Sequence, residues 1–227
     1  MGLGFGTKLR YVKDAICRGA RIGNYWHWVD AKDAPENIDI ASLVYPLRYD
    51  IVIRKEFFCL YREFRSEYHS DFNTFFIRAK EHIYFQWFTT VLVHRFRPDL
   101  VSAPGALEHA FKDRIKRSAI LFDTIEQNDF DTRHPILPCT GETILPTDSG
   151  LTTGAKYYMG DGCHRLAYLM SMGYDSLPGR YARIKCYRKF KPLDNTSLIS
   201  PHIEVDWKRS GLNIPTTNQT NEKVYYP

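Results

Sequence analysis

No CxxC pair occurs among the five cysteines, which stand singly at positions 17, 59, 139, 163 and 186. That odd-numbered set builds no disulfide framework, and it reads as reduced thiols in a cytosolic protein. No apolar run reaches the roughly 18 residues that a membrane span needs. Residues Met1 to Gly6 are glycine-rich and no apolar stretch follows them, so no secretory leader is expected. Without a leader, the triplets Asn195-Thr196-Ser197 and Asn218-Gln219-Thr220 carry little weight as glycan acceptors. Gly6 stands where a myristoylation signal requires Ser or Thr. A Walker loop and a dinucleotide fingerprint are also missing, because Gly2-Leu3-Gly4-Phe5-Gly6 has no strand before it. Internal repeats are absent. The charge excess is only +5, with an isoelectric point near 8.9. That favours anionic partners such as a nucleotide, a nucleic acid or an acidic membrane, but does not by itself call for DNA.

What the chain has is core-forming material. Of its 227 residues 44% are hydrophobic, 25% charged and 15% aromatic, enough for one large domain or two small ones packed around Phe and Tyr. Residues Thr7 to Ile22 read as a basic amphipathic helix, with Leu9, Val12, Ile16 and Ala20 on one stripe and Gly23-Asn24 as its stop. That stripe can dock on the main domain, or lie with Tyr25-Trp26-His27-Trp28 at an anionic membrane surface. Ile38-Asp39-Ile40 reads as a short strand, and Tyr49 to Glu67 as strand into helix. Asp71 to Phe96 and Ala106 to about Glu126 carry helical periodicity, and the Phe72–Phe88 aromatics on the first belong to the core. His82 and His94 lack metal-ligand spacing. Further strands are expected at His134–Pro138, Lys156–Met159 and Tyr181–Tyr187, the last edged by Arg183, Lys185 and Arg188. Thr147 to Gly154 is a loop, and Cys163 to Met172 a helix closed by Gly173. The whole reads as an α+β chain: a basic segment at 1–35, a main domain at 36–200 with a helical block at about 68–130, and a tail at 201–227.

One stretch carries chemistry: Gly160-Asp161-Gly162-Cys163-His164-Arg165, between a strand and a helix. Two glycines flank an acid where the chain turns tightly and positive φ is needed. The first N–H groups of the helix have no intrahelical acceptor and favour an anion. Arg165 adds a fork matched to phosphate, and His164 a second donor or a proton carrier. Gly162 lets a ligand approach the backbone. Cys163, at a helix start, is either a reactive thiol or a small buried filler. Asp161 is either a helix cap or a functional acid.

From Pro135 to Tyr187 the chain resembles the ParB/sulfiredoxin superfamily. The resemblance rests on a proline-flanked apolar strand, a loop, a strand running into Asp-Gly-Cys-His-Arg, and a helix leading through Gly173 and Leu177-Pro178 to a last strand. Ile38 to Pro46 is similar to the family's opening strand and proline turn, which makes the helical block an insertion. The resemblance implies a small mixed sheet with nucleotide phosphates bound at the turn. Sulfiredoxins carry Gly-Gly-Cys-His-Arg, in which the cysteine attacks a phosphorylated sulfinic acid; Gly162, Cys163, His164 and Arg165 match that motif, and Asp161 replaces its first glycine. A free-serine kinase branch carries Asp-Gly-His-His-Arg, matched by Asp161, Gly162, His164 and Arg165. Partitioning proteins bind CTP and place a helix-turn-helix behind it, and no such module follows residue 188. The family's phosphate-holding arginine precedes the opening proline; Tyr45 stands there, with Arg48 and Arg54 as nearby substitutes.

The leading expectation is an ATP- or ADP-dependent phosphotransferase acting with Mg²⁺ on a hydroxyl of a small molecule or glycan. Gly160, Gly162, Cys163, His164, Arg165, Arg48 and Arg54 are its expected phosphate ligands, and Asp161, His164, Cys163 and Glu56 its expected catalytic groups. Glu56 is the candidate base, or else a solvated charge in an Arg-Lys-Glu run. The alternatives are sulfinic acid reduction through Cys163 and a nucleotide-gated binding module, for which DNA is disfavoured. The basic start would suit work at the inner membrane surface.

Overall fold

A computed structural model describes residues 25–44, 48–93, 97–103, 105–141 and 157–188, with Val12, Ile16, Gly19, Ala20 and Gly23, as a mixed α+β chain in which helices outweigh a small sheet. Strand β1 (Trp26–Trp28) comes first, then β2 (Asn37–Asp39) and the short helix α1 (Ile40–Val44). Helices α2 (Tyr49–Glu63), α3 (Arg65–Ser70), α4 (Phe72–Glu81), α5 (Ile83–Trp87) and α6 (Ala106–Asn128) follow. The last part runs through β3 (Leu137–Gly141), β4 (Tyr158–Asp161), α7 (Cys163–Ser171), β5 (Ser176–Pro178) and β6 (Lys185–Tyr187).

The larger sheet has the order β1-β6-β3-β4, with β6 parallel to β3 and the other pairs antiparallel. A bulge between Leu137 and Pro138 accommodates a residue that has no N–H to give the ladder. β2 and β5 form a separate antiparallel pair. Because β1 covers β6, the latter is an interior strand, and the expected edge there does not exist. The candidate membrane-surface residues Trp26 and Trp28 lie in this sheet, with Arg183 stacked 4.0 Å from the Trp28 ring and Lys185 4.7 Å from that of Trp26. Val12 and Ile16 are helical and more than half exposed. The rest of the expected amphipathic segment, the 147–154 loop, His94 and the tail after 201 lie outside the described residues. No helix among the described residues is long and apolar enough to cross a membrane.

Several expected boundaries shift for local reasons. Tyr49 to Ile53 is helical from its first residue; Tyr49, Ile51 and Ile53 are all buried, so its alternation reflects burial on several sides of a helix. Residues after Asp39 enter α1 rather than extending a strand. The long helix expected from Asp71 begins there, with the Asp71 carboxylate accepting from the N–H groups of Asn73 and Thr74. It breaks at His82, which adopts extended backbone and whose ring Nδ1 accepts from Tyr84 N–H to start α5. After Trp87 the helix widens into a π-helical turn, Phe88–Val93. The expected 181–187 strand is shorter, since Gly179–Tyr181 is a 3₁₀ turn.

The core is aromatic. Phe111 of α6 is fully buried and meets Phe76, Tyr84, Phe85 and Phe88 with ring centroids 4.7 to 6.0 Å apart. Phe57 of α2 stacks on Tyr84 at 4.5 Å. Each such ring stabilises the fold by roughly 1.5–3 kcal/mol through burial. α2 also packs along α7 more extensively than any other pair of elements touches, and this contact positions the site.

Candidate functional site

The turn from β4 into α7 is built by two glycines with different tasks. Gly162 has φ +89°, and a Cβ there would lie 3.0 Å from the Ile136 Cα. Gly160 belongs to the strand and not to the turn. A side chain there would strike Cys139 Sγ at 2.6 Å and the Leu137 carbonyl oxygen at 2.7 Å. Positive φ is therefore needed once, and close approach explains the other glycine. Asp161 is exposed, and its Oδ1 accepts from the Gly162 N–H at 2.6 Å. No side chain caps α7 among the described residues. Leu166 N–H bonds the Gly162 carbonyl, so the N–H groups ahead of it form an open helix start.

Behind that start stands a set of arginines. Arg48, just before α2, donates Nη2 to Cys163 Sγ at 2.7 Å and Nη1 to the Met159 carbonyl at 2.9 Å. It also grips Asp50 with both Nε (2.9 Å) and Nη2 (3.1 Å). Arg54, one turn on, donates Nη1 to the Asp50 carbonyl oxygen at 2.7 Å and also pairs with the Asp50 carboxylate. Burial would push the Asp50 carboxyl up, yet Arg54 and Arg48 hold it well below the usual carboxylate range. Burial likewise opposes the Arg48 charge, but Asp50 and Cys163 outweigh it and raise Arg48 above its ordinary value.

His164 sits among these cations. Burial, then the charges of Arg54 and Arg114, with a smaller part from Arg165 and against the pull of Asp50, push the imidazole down to about 3. It is therefore neutral near pH 7, with one ring nitrogen able to donate and the other to accept. Arg114 arrives from α6. Its Nε donates to the Tyr84 hydroxyl at 2.8 Å, and its guanidinium carbon lies 5.2 Å from the Trp87 ring. Burial lowers its pKa; Tyr84 opposes this and the Arg54 charge adds to it.

The fold thus gathers Arg48, Arg54, Gly162, Cys163, His164 and Arg165 around one helix start, with Gly160 and Asp161 at its exposed lip. Glu56 is not brought there. It is roughly 200° around α2 from Arg54, pairs with Lys55 at 2.8 Å and lies beside His82. Asp50, Trp87 and Arg114 were not anticipated. A signal existed for the last: Arg114 interrupts the buried Phe111, Ile115 and Phe122 stripe of α6, where a charge needs a reason.

No family model matches the chain, and no curated protein or solved structure matches it either.

What the arrangement can do follows from its imbalance. Arg54, Arg114 and Arg165 all act on His164, and Asp50, the carboxylate acting with them, is paired with Arg48 and Arg54. Arg54 Nε, Arg165 Nη1 and Trp87 Nε1 are buried donors without an acceptor among the described residues. A buried N–H left unpaired costs about 1–3 kcal/mol, so such a set has the capacity to take an anion or ordered water as its acceptor. Among the described residues no three His, Cys, Asp or Glu side chains gather as metal ligands.

Proposed function

We propose that the protein is a nucleotide-dependent phosphotransferase on the ParB/sulfiredoxin plan, with the nucleotide's phosphates at the start of α7. The observation that carries this is the buried, unpaired Arg165 Nη1 donor at an uncapped helix start. The helix-start amides and Arg165 bind phosphate oxygens, and Arg48 holds the Cys163 side of the turn. In the transfer the acceptor hydroxyl oxygen forms a bond to the terminal phosphorus. The bond from that phosphorus to the bridging oxygen breaks, and the shortened nucleotide leaves with the electron pair. Asp161 takes the hydroxyl proton; it stands exposed at the turn, whereas Glu56 pairs with Lys55.

Mg²⁺ fits this site only as a companion of the phosphates, because Asp161 supplies one free carboxylate and Asp50 is engaged by two arginines. When bound it would neutralise phosphate charge. His164 serves as a neutral hydrogen-bonding group. The acceptor is a hydroxyl of a small molecule or a glycan.

A second reading is favoured by the Arg48–Cys163 contact. In it the Cys163 sulfur displaces phosphate from a phosphoryl sulfinic ester to give a thiosulfinate, and an added thiol then bonds to the Cys163 sulfur, forming a disulfide and releasing the substrate as sulfenic acid. The test is a screen of nucleotides with Mg²⁺ for thermal stabilisation and turnover. The transferase reading expects nucleoside triphosphate or diphosphate to stabilise the protein and be consumed with hydroxyl acceptors. Stabilisation by no nucleotide would overturn it.

A further inference from the structure

Arg54 and Arg114 come from α2 and α6, 60 residues apart in the chain, and converge on one indole. Their guanidinium carbons lie 4.8 Å and 5.2 Å from the Trp87 ring. Trp87 is 3% exposed and its Nε1–H has no acceptor among the described residues; Arg54 is 9% exposed and its Nε–H has none either. Both guanidiniums act on His164, and each on the other. Like charges are forced together here with unpaired donors, which packing alone does not call for. A π-helical turn begins directly after Trp87, and such turns concentrate at functional sites.

We infer that the helical block gives the site a second anion pocket, formed by Arg54, Arg114, Trp87 and His164, which holds a phosphate monoester carried by the acceptor substrate. Charge selects the class. The guanidiniums of Arg48, Arg54 and Arg114 share one carboxylate, Asp50, among the described residues, and a dianion balances the remaining charge better than a single carboxylate does. The Trp87 and Arg54 N–H groups are the spare donors such an anion accepts from. This substrate class rests on the phosphotransferase reading, whereas the pocket itself rests only on the donors.

The experiment is calorimetric titration of the full chain with inorganic phosphate, sulfate and acetate, each with and without a saturating non-hydrolysable nucleotide. Phosphate and sulfate are expected to bind one to one, at least tenfold more tightly than acetate, and to bind equally well when nucleotide is present. Arg114→Met is expected to weaken phosphate at least tenfold while leaving nucleotide affinity within threefold, and Arg114→Lys to restore most of the loss. Should Arg114→Met unfold, as judged by circular dichroism, Trp87→Phe keeps the ring, removes the donor, and is expected to weaken phosphate several-fold. Phosphate binding indifferent to these substitutions, displaced by nucleotide, or no stronger than acetate binding overturns the inference. Arg114-dependent phosphate binding in a protein that binds no nucleotide sustains the pocket and sinks the phosphotransferase reading.

Discussion

Arg48 donates to Cys163 Sγ at 2.7 Å across 115 residues of sequence, and so ties the entrance of α2 to the start of α7. The same guanidinium holds Asp50, which in turn holds Arg54. One carboxylate therefore organises two of the arginines behind the turn. Replacing Asp50 by Asn leaves both without their counter-ion, and removing one partner of a buried pair costs about 3–5 kcal/mol. Urea denaturation is expected to show a loss of that order for Asp50→Asn. A change under 1 kcal/mol would mean that Asp50 does not organise the cluster.

The acid side of the stability curve carries a signature of His164. Its folded pKa of about 3 lies below the ordinary 6.5, so between these values the unfolded chain binds a proton that the folded chain refuses. Stability is thus full above pH 6.5, falls as pH drops from 6.5 toward 3, and levels off below that. The groups facing the ring are Arg54 and Asp50 of α2, Arg114 of α6 and Arg165 of α7. At pH 5 the effect is on the order of 1–2 kcal/mol. His164→Asn is expected to flatten melting temperature against pH between 7 and 5. Asp50, depressed instead, adds stability that is lost only as pH falls below its unfolded value of 3.8. An unchanged slope in His164→Asn would contradict the assignment.

The three glycines around α7 should rank by what a methyl group meets. Gly173 has φ +87° and open space, so Gly173→Ala carries the left-handed penalty alone, about 1–2 kcal/mol. Gly162 adds contact with Ile136, and its alanine variant is expected to lose roughly 2–4 kcal/mol. Gly160→Ala would press on the Leu137 carbonyl and on Cys139 Sγ, so it should split β4 from β3 and destabilise at least as much as Gly162→Ala. Equal melting temperatures for all three would mean that the turn is not packed this way.

Cys163→Ser separates the two enzymatic readings. A phosphotransferase keeps most of its turnover, because the serine hydroxyl still accepts from Arg48 and the helix start is unchanged. A sulfinic acid reductase loses all of it, because sulfur is the attacking atom. Turnover measured with nucleotide and hydroxyl acceptors, against turnover with a sulfinylated protein, decides between them.

Local signals carried the sequence reading a long way. The helix start at Asp71, the apolar stripe of α6 and Gly173 closing α7 are features of a few adjacent residues, and all three are legible in the sequence. The strand-turn-helix at Gly162 was legible too, because a glycine needed for positive φ sits between the two periodicities. What failed depended on distant chain. Tyr49, Ile51 and Ile53 alternate because they are buried on several sides of a helix, and β1 pairs with β6, which is distant in the chain. Gly160 owes its place to Cys139 and Leu137, contacts that no pattern around Gly160 reveals. Asp50, Trp87 and Arg114 joined the site through packing between α2, α5, α6 and α7. Glu56 has the charge of a base, but the turn of α2 pairs it with Lys55 on another side of the helix from Arg54.

The most direct measurement is calorimetric titration of MgATP and MgADP into the wild-type chain and into Arg165→Ala, with melting temperatures as a fold control. Occupation of the α7 start by phosphates predicts one site per chain and an affinity at least tenfold weaker in a folded Arg165→Ala. Equal affinity in the two proteins, or no heat of binding in the wild type, would contradict it.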